Sequence, residues 1–202
     1  MIKFAIPSVT SRLHNGSAQI LGIEPLKRGD PLVMTNGALT LYQFRGTDIP
    51  RIVESGWVDC GLCGIDAVDE TRADVAVLRR FPETTTRIAL IGKAGATLQP
   101  RADGPIVATE FPEITRAALS ARYPDLQTWK AHGSCESFAF IDAVDGVVDL
   151  VDTGETLDRN GLTVLEVLYE TCICLIARRA LSDSIEIDAL RVDVRALLGT
   201  NS

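Results

Sequence analysis

Apolar and polar positions along the chain follow two rhythms. Short β-rich runs recur at IKFAI (2–6), LTLYQF (39–44), VAVLR (75–79), RIALIG (87–92), IVATE (106–110), VVDLV (147–151) and CICLIA (172–177), and their length and residue type predict strands. Helical spacing lies between several of them. Ile49, Ile52 and Val53 share one face of a segment opening at Asp48, with Pro50 in its first turn and Gly56 just past its end. A second helix is expected from Pro112 to about Tyr123, a third over Ser134–Val144, and a last one over Asp183–Leu198. Strands alternating with helices imply an α/β protein with mostly parallel sheets.

The spacing of the breaks predicts two lobes. The glycine-rich stretch from Gly92 to Gly104 reads as a first crossing segment, and a second is expected near Tyr169. Lobe I is then discontinuous, 1–93 plus 171–202, and lobe II covers 94–170.

Composition narrows the function. The 202 residues suffice for one large domain or two small lobes, and 46% hydrophobic content excludes disorder. A net charge of −7 argues against a nucleic-acid backbone as the main partner, yet leaves room for a small polyanion held by a few local donors. The amino-terminal apolar run is too short for a signal peptide, and no stretch approaches a membrane span. Five cysteines without export signals predict reduced thiols and a cytoplasmic location.

Three stretches hold candidate chemistry. In VVDLVDTGETLDRNGL (147–162) a strand ends in a glycine turn and a brief helix, Thr156–Arg159, stopped by Asn160-Gly161. Such a turn aims unpaired backbone N–H groups into one small space, where phosphate binds readily. Gly154 allows close approach, Thr153 and Thr156 add hydroxyls, and Asp149 is placed for sugar hydroxyls or a metal ion. An ordinary capped turn reads equally well, and no Gly-Lys-Ser/Thr follows to make a Walker loop. In VDCGLCGIDAVDE (58–70), Cys60 and Cys63 form a C-x-x-C, but no second pair stands at zinc spacing and cysteine serves as a small apolar residue there. Gly61, Gly64 and Asp66 put a turn and a carboxylate at a sheet edge. In HGSCESF (132–138) a Gly-Ser turn opens a helix with Glu136 in its first turn; a plain N-cap at Ser134 is the simpler reading. His14 and His132 have no nucleophile or orienting acid nearby and read as surface or loop residues.

Taken together these stretches resemble the ATP phosphoribosyltransferases over most of the chain from Arg45 to Ala177. RGTDIPRIVESGWVDCGLCGIDAVDE is similar to that family's Arg-x-x-Asp-Ile-Pro segment followed by Asp-x-Gly-x-x-Gly-x-Asp; IVATEFPEIT, GSCES and VVDLVDTGETLDRNGL match three further motifs in order. The resemblance implies a two-lobed fold of the periplasmic-binding-protein type (type II) with the site in an inter-lobe cleft. It implies an enzyme of histidine biosynthesis in which N1 of ATP displaces pyrophosphate from phosphoribosyl pyrophosphate (PRPP), with Mg²⁺ carried mainly on PRPP rather than on fixed protein ligands. Asp149 and Glu136 become the catalytic candidates. Asp149, Asp152, Thr153, Gly154, Glu155, Thr156 and Leu157 become the PRPP loop. Arg12, Arg45, Asp66, Gly133 and Ser134 fall to ATP and phosphates.

The chain also departs from the family pattern. The amino-terminal turn Pro7-Ser8-Val9-Thr10-Ser11-Arg12-Leu13 lacks the usual lysine, Leu13–Arg45 is short, Phe138-Ala139 replaces Ala-Pro, and Asp142 replaces a glycine. These changes fall where the acceptor and the cleft wall are expected. They keep open a paralogue that ribosylates another purine-like acceptor, and a non-catalytic ligand-binding module. The length resembles the short form of the family, which implies a homodimer or a hetero-oligomer with a histidyl-tRNA-synthetase-like regulatory subunit.

Overall fold

The computed structural model describes residues 1–98, 102–133, 135–152 and 154–199. The chain forms two compact units, Met1–Thr84 with the segment from Cys172 on, and Thr85–Thr171.

The first unit begins with β1 (Ile2–Pro7), whose Phe4, Ala5 and Ile6 are all buried. A continuous apolar run of this kind marks a strand covered on both faces. Around it lie α1 (His14–Leu21), β2 (Val33–Thr35), β3 (Leu39–Phe44), α2 (Ile49–Glu54), β4 (Cys60–Gly64) and α3 (Ile65–Thr71). The long strand β5 (Ala76–Lys93) leaves the unit, and β9 (Leu162–Ala177) returns to it. Strands run in the order β2-β3-β1-β4-β9, with β1 parallel to both β3 and β4. β2 and β9 close the two sides antiparallel. α6 (Ile187–Leu198) turns Ile187, Leu190 and Val194 into the core with Phe4, Leu41, Leu62 and Leu175. That i, i+3, i+7 spacing is one face of a helix.

The second unit contains the later part of β5, then β6 (Ile106–Thr109), α4 (Pro112–Leu119), β7 (Gln127–Lys130), a 3-10 helix (Glu136–Phe140), β8 (Gly146–Val151), α5 (Glu155–Arg159) and the start of β9. The order is β5-β8-β6-β7, with β6 parallel to β7 and β8, and β8 antiparallel to β5. In both units parallel pairs occur where helices connect the strands; the antiparallel pairs are those of the long strands and, in the first unit, the short β2–β3 pair. Val107, Ile88, Val148, Phe111 and Leu119 pack one face of the second sheet; Ala89, Ile91, Val147, Cys135 and Leu157 pack the other.

Several expectations need correction. The runs at 75–79 and 87–92 are ends of one 18-residue strand, β5. Its polar middle, Pro82 to Arg87, interrupts the apolar rhythm without interrupting the backbone. The first crossing is therefore at Thr84–Thr85, ahead of the glycine-rich stretch rather than within it. The helix expected over 134–144 shrinks to the 3-10 helix Glu136–Phe140, because Ile141 turns extended. The last helix starts at Ile187, not Asp183. Sequence rhythm also missed α1, α3, β2 and β7, all eight residues or shorter.

Candidate functional site

Strand order creates one divergence point in each unit. In the second unit the chain passes from β6 through α4 to β7 on one side, then crosses to β8 on the other. Loops leaving the carboxyl ends of β6 and β8 part there, and open α/β sheets bind ligands at such points. Glu110 follows β6 directly; Asp149 and the turn 152–157 belong to β8 and its exit.

Asp149 is nearly buried, at 8% exposure. Its Oδ2 accepts the Cys135 N–H at 2.9 Å and its Oδ1 accepts the Leu150 N–H at 2.7 Å. Burial raises its pKa; those two N–H groups oppose the shift, and the charges of Glu136 and Glu110 reinforce it. Glu136 is half-buried and opens the 3-10 helix. Cys135, between Asp149 and Glu110, is wholly buried, and its thiol is pushed up to about 12 by burial and by those two carboxylates. A thiol held neutral in this way packs and does not attack.

The exit from β8 has the geometry of a cradle. Gly154 adopts a left-handed conformation (φ 81°) as the N-cap of α5, and a Cβ there would meet no atom within 4 Å. Glu155, Thr156 and Leu157 form the first turn of α5, whose N–H groups have no partner inside the helix. With only five residues, α5 contributes those local donors rather than a large dipole. Glu155 and Thr156 are exposed, and Glu155 pairs with Arg159 at 3.4 Å. Leu157 differs from its neighbours: its side chain is buried among Val147, Val151 and Leu162. It serves as an anchor contributing about 1.5–3 kcal/mol, and only its backbone can face a ligand. Thr86 on β5 donates its hydroxyl toward Asp152 Oδ1 (2.5 Å) and the Val151 carbonyl (3.2 Å), tying down the start of the turn. Thr153 and Ser134 lie outside the described residues.

Sequence rhythm missed two residues here, Thr86 and Glu110. Glu110 Oε1 accepts the Gly133 N–H, and Gly133 is itself left-handed at φ 92°. The available signal was positional: an acid closing the strand of the IVATEFPEIT motif.

The first unit repeats the plan. From β1 the chain goes through α1 and β2 to β3 on one side, then through α2 to β4 on the other. Arg12 follows β1, Asp66 follows β4 in the first turn of α3, and Arg45 follows β3 with its side chain exposed. Arg12 Nη2 lies 3.2 Å from Oδ2 of the buried Asp66. The three residues therefore share the carboxyl edge of one parallel triplet.

His14 is buried rather than superficial, with Nδ1 2.9 Å from the Pro7 carbonyl and Nε2 3.0 Å from that of Leu26. It braces the loop after β1, while His132 is exposed. The C-x-x-C pair lies on β4, where an offset of three puts Cys60 and Cys63 on opposite faces. Cys63 instead faces Cys174 of β9, sulfur to sulfur at 3.9 Å, and both are free thiols. Asp142 lines a hollow of about 220 Å³ with Phe140 and Lys93, at the Gly146 end of β8. That is the end of the strand opposite the 152–157 turn, so the Asp142 departure does not flank that turn. Phe138 packs against the core around Leu157.

Residues 45–196 match the sequence model of the ATP phosphoribosyltransferase family. An ATP phosphoribosyltransferase of Metallosphaera sedula is 30% identical across the whole chain, which spans 73% of that protein. One from Methanopyrus kandleri is 32% identical, again across the whole chain and 74% of the relative. Among solved structures, the ATP phosphoribosyl transferase (HisG:HisZ) complex from Thermotoga maritima superposes with a TM-score of 0.76 over 98% of this chain and 96% of the matched one, at 23% identity. The periplasmic VFT2 domain of Bordetella pertussis BvgS reaches 0.55 over 97% and 92%, at 16% identity. These two likenesses speak for the two-lobed α/β fold of the type II binding-protein class. Family match and relatives go further: the chain belongs to the ATP phosphoribosyltransferase family.

Proposed function

We propose that this chain transfers the 5-phosphoribosyl group of PRPP to N1 of ATP with release of pyrophosphate, the first step of histidine biosynthesis. The observation that carries the reading is the buried Asp149 carboxylate on β8 immediately ahead of the left-handed Gly154 turn, in a member of this family. First-turn N–H groups at Glu155, Thr156 and Leu157 cradle the 5-phosphate, with Thr153 and Thr156 adding hydroxyls, while Asp152 fixes the turn. Asp149 accepts from the ribose hydroxyls, and Glu136 lies beside it.

Displacement at the anomeric carbon passes through an oxocarbenium-like state. Catalysis is then positioning and charge stabilisation, with no strong base required. Adenine N1 brings its own lone pair, so no histidine is needed at the site. Carboxylates at Asp149 and Glu136 face developing positive charge on the ribose. Arg12, oriented by Asp66, and Arg45 bind phosphates of the acceptor, with Gly133 bordering the ribosyl side.

PRPP enters as its magnesium complex. Mg²⁺ prefers oxygen ligands, keeps much of its water and needs at most one or two carboxylates beside substrate phosphates. The acids around the turn are of that type, and among the described residues no cluster of three His, Cys, Asp or Glu is built to hold an ion by itself. When bound, the ion neutralises charge on the departing diphosphate.

A second subunit of histidyl-tRNA-synthetase type is the partner this reading favours, alongside self-association. Support comes from the HisG:HisZ complex to which the fold is similar. No described helix is long and apolar enough to cross a membrane, and phosphorylated substrates favour a cytoplasmic setting for this reaction.

Pyrophosphate release by the purified chain with PRPP and Mg²⁺, with and without ATP, tests the reading, with the nucleotide product identified by mass. The assay is repeated with the regulatory subunit present. ATP-dependent release and a product one phosphoribosyl heavier are expected. Release with another purine but not with ATP would reassign the acceptor.

A further inference from the structure

We infer that Glu110 is a positioning residue of the transferase site, acting by fixing the turn between β7 and the 3-10 helix that carries Glu136; the inference rests on the function proposed above. Four observations carry it. Glu110 follows β6 at the divergence point of the second sheet, so its side chain emerges between the exits of β6 and β8. Its Oε1 accepts the Gly133 N–H, while Asp149 Oδ2 accepts the Cys135 N–H at 2.9 Å. Carboxylates from two neighbouring strands thus hold backbone donors on either side of position 134. Gly133 is left-handed with open space where a Cβ would stand, and the turn has little packing of its own on that side. On the other side it is fixed by Cys135, fully buried, whose thiol donates to the Gly133 carbonyl at 3.3 Å.

The two holds are not equivalent. Asp149 is nearly buried and also secures its own strand, so the Cys135 side of the turn is anchored by the core. On the Gly133 side the backbone N–H is held by the Glu110 carboxylate, outside the core. Charge-assisted bonds of a carboxylate to backbone N–H groups are roughly twice as strong as neutral ones. Losing this bond lets His132 and Gly133 swing about the Cys135 anchor, next to the Asp149 carboxylate that the Cys135 N–H contacts. A displacement of about 1 Å at a reacting site costs on the order of 10²-fold in rate. Glu110 itself bonds backbone, so it is assigned to position the turn and not to touch the ribose.

Glu110→Ala and Glu110→Gln separate the hydrogen bond from the charge, because glutamine keeps the accepting oxygen. Two readouts are taken on the full chain with its regulatory subunit. Amide exchange at Gly133 and Cys135 reads the turn without reference to activity. Initial rates over PRPP and ATP concentrations read kcat and both KM values. E110A is expected to speed exchange at Gly133 but not at Cys135, and to lower kcat/KM for PRPP about 10- to 100-fold. In E110Q both should stay within about threefold of the parent, and KM for ATP should hold in both variants. Unchanged Gly133 exchange in E110A overturns the inference, as does faster exchange with unchanged kinetics. Equal losses in E110Q and E110A overturn it too, by showing that charge rather than the bond is used. If the parent chain transfers nothing, the function proposed above fails instead. The variants are then ranked by calorimetric binding of PRPP–Mg²⁺, and equal binding by parent and E110A counts against the inference.

Discussion

Each unit of this protein has a parallel triplet of strands with a carboxylate at or near the carboxyl end of the third, yet the two carboxylates live in opposite surroundings. Asp66 meets the guanidinium of Arg12, supplied by the loop after the first strand of its triplet. Asp149 meets backbone N–H groups and, where an arginine stands in the other unit, the acid Glu110. An acid matched by a cation is a fastening, and its charge is largely spent on orienting that cation. An acid held by neutral donors among like charges keeps its charge for something else. The same topology thus pairs its acid with a cation in one unit and surrounds it with backbone donors and further acids in the other.

That contrast can be broken most directly at the two acids. Asp149→Asn is expected to lower kcat/KM by ~10²–10³, as for other donors and charges aimed at a transition state. Asp66→Asn should mainly raise KM for ATP, by about tenfold for about 1.4 kcal/mol, with kcat little changed. Steady-state pyrophosphate release separates them; equal kcat losses would erase the distinction. Stability should divide the other way. Arg12→Ala leaves a buried carboxylate without its guanidinium and should cost about 1–3 kcal/mol in urea melts, partly restored in the Arg12→Ala/Asp66→Asn double variant.

Two glycines sharpen the comparison further. A Cβ at Gly61 would lie 2.6 Å from Ile49 and 3.1 Å from the Ala5 carbonyl, so Gly61→Ala overpacks the core and should cost about 1–3 kcal/mol without altering KM for PRPP. At Gly154 space is open but φ is 81°, so Gly154→Ala should cost only about 1–2 kcal/mol, from the backbone. Its larger effect should be on KM for PRPP. If calorimetry shows PRPP binding unaffected there, the cradle is misplaced.

The smallest expected effect is one of pH. Burial raises the Asp149 pKa, so the carboxylate is protonated at a higher pH than a free aspartate. The acid limb of kcat/KM should therefore lie above 3.8, with activity falling as pH drops through the folded value. For stability the sign is reversed. Below 3.8 both states are protonated; as pH rises past it the unfolded chain ionises first, and the fold loses stability up to the raised folded value. A limb at or below 3.8 would mean that the two N–H bonds outweigh burial.

Much of this was legible from sequence, and the reasons differ by residue. β1, β3, β6 and β8 declare themselves as apolar runs because they are central strands. Asp149 and Gly154 are legible because the turn is local, built from consecutive residues. The contacts of Glu110 and Thr86 were not, since they depend on which strands become neighbours, and sheet order is not written in any one segment. The continuity of β5 was hidden by its exposed middle, where side chains face water and no burial rhythm is imposed.

The discontinuity of the first unit has a consequence for how the chain is made. β4 is buried along its whole length, and its second flank is covered only by the end of β9, from Ile173 to Ala177. Those partners leave the ribosome more than a hundred residues apart. Throughout that interval of synthesis the first unit exposes an apolar strand with an open edge, the kind of surface that pairs with other chains. The second unit, Thr85–Thr171, is complete in sequence before β9 ends. The nascent protein therefore closes from the inside of its sequence outward, and its vulnerability to aggregation lies in translation, before any substrate is met.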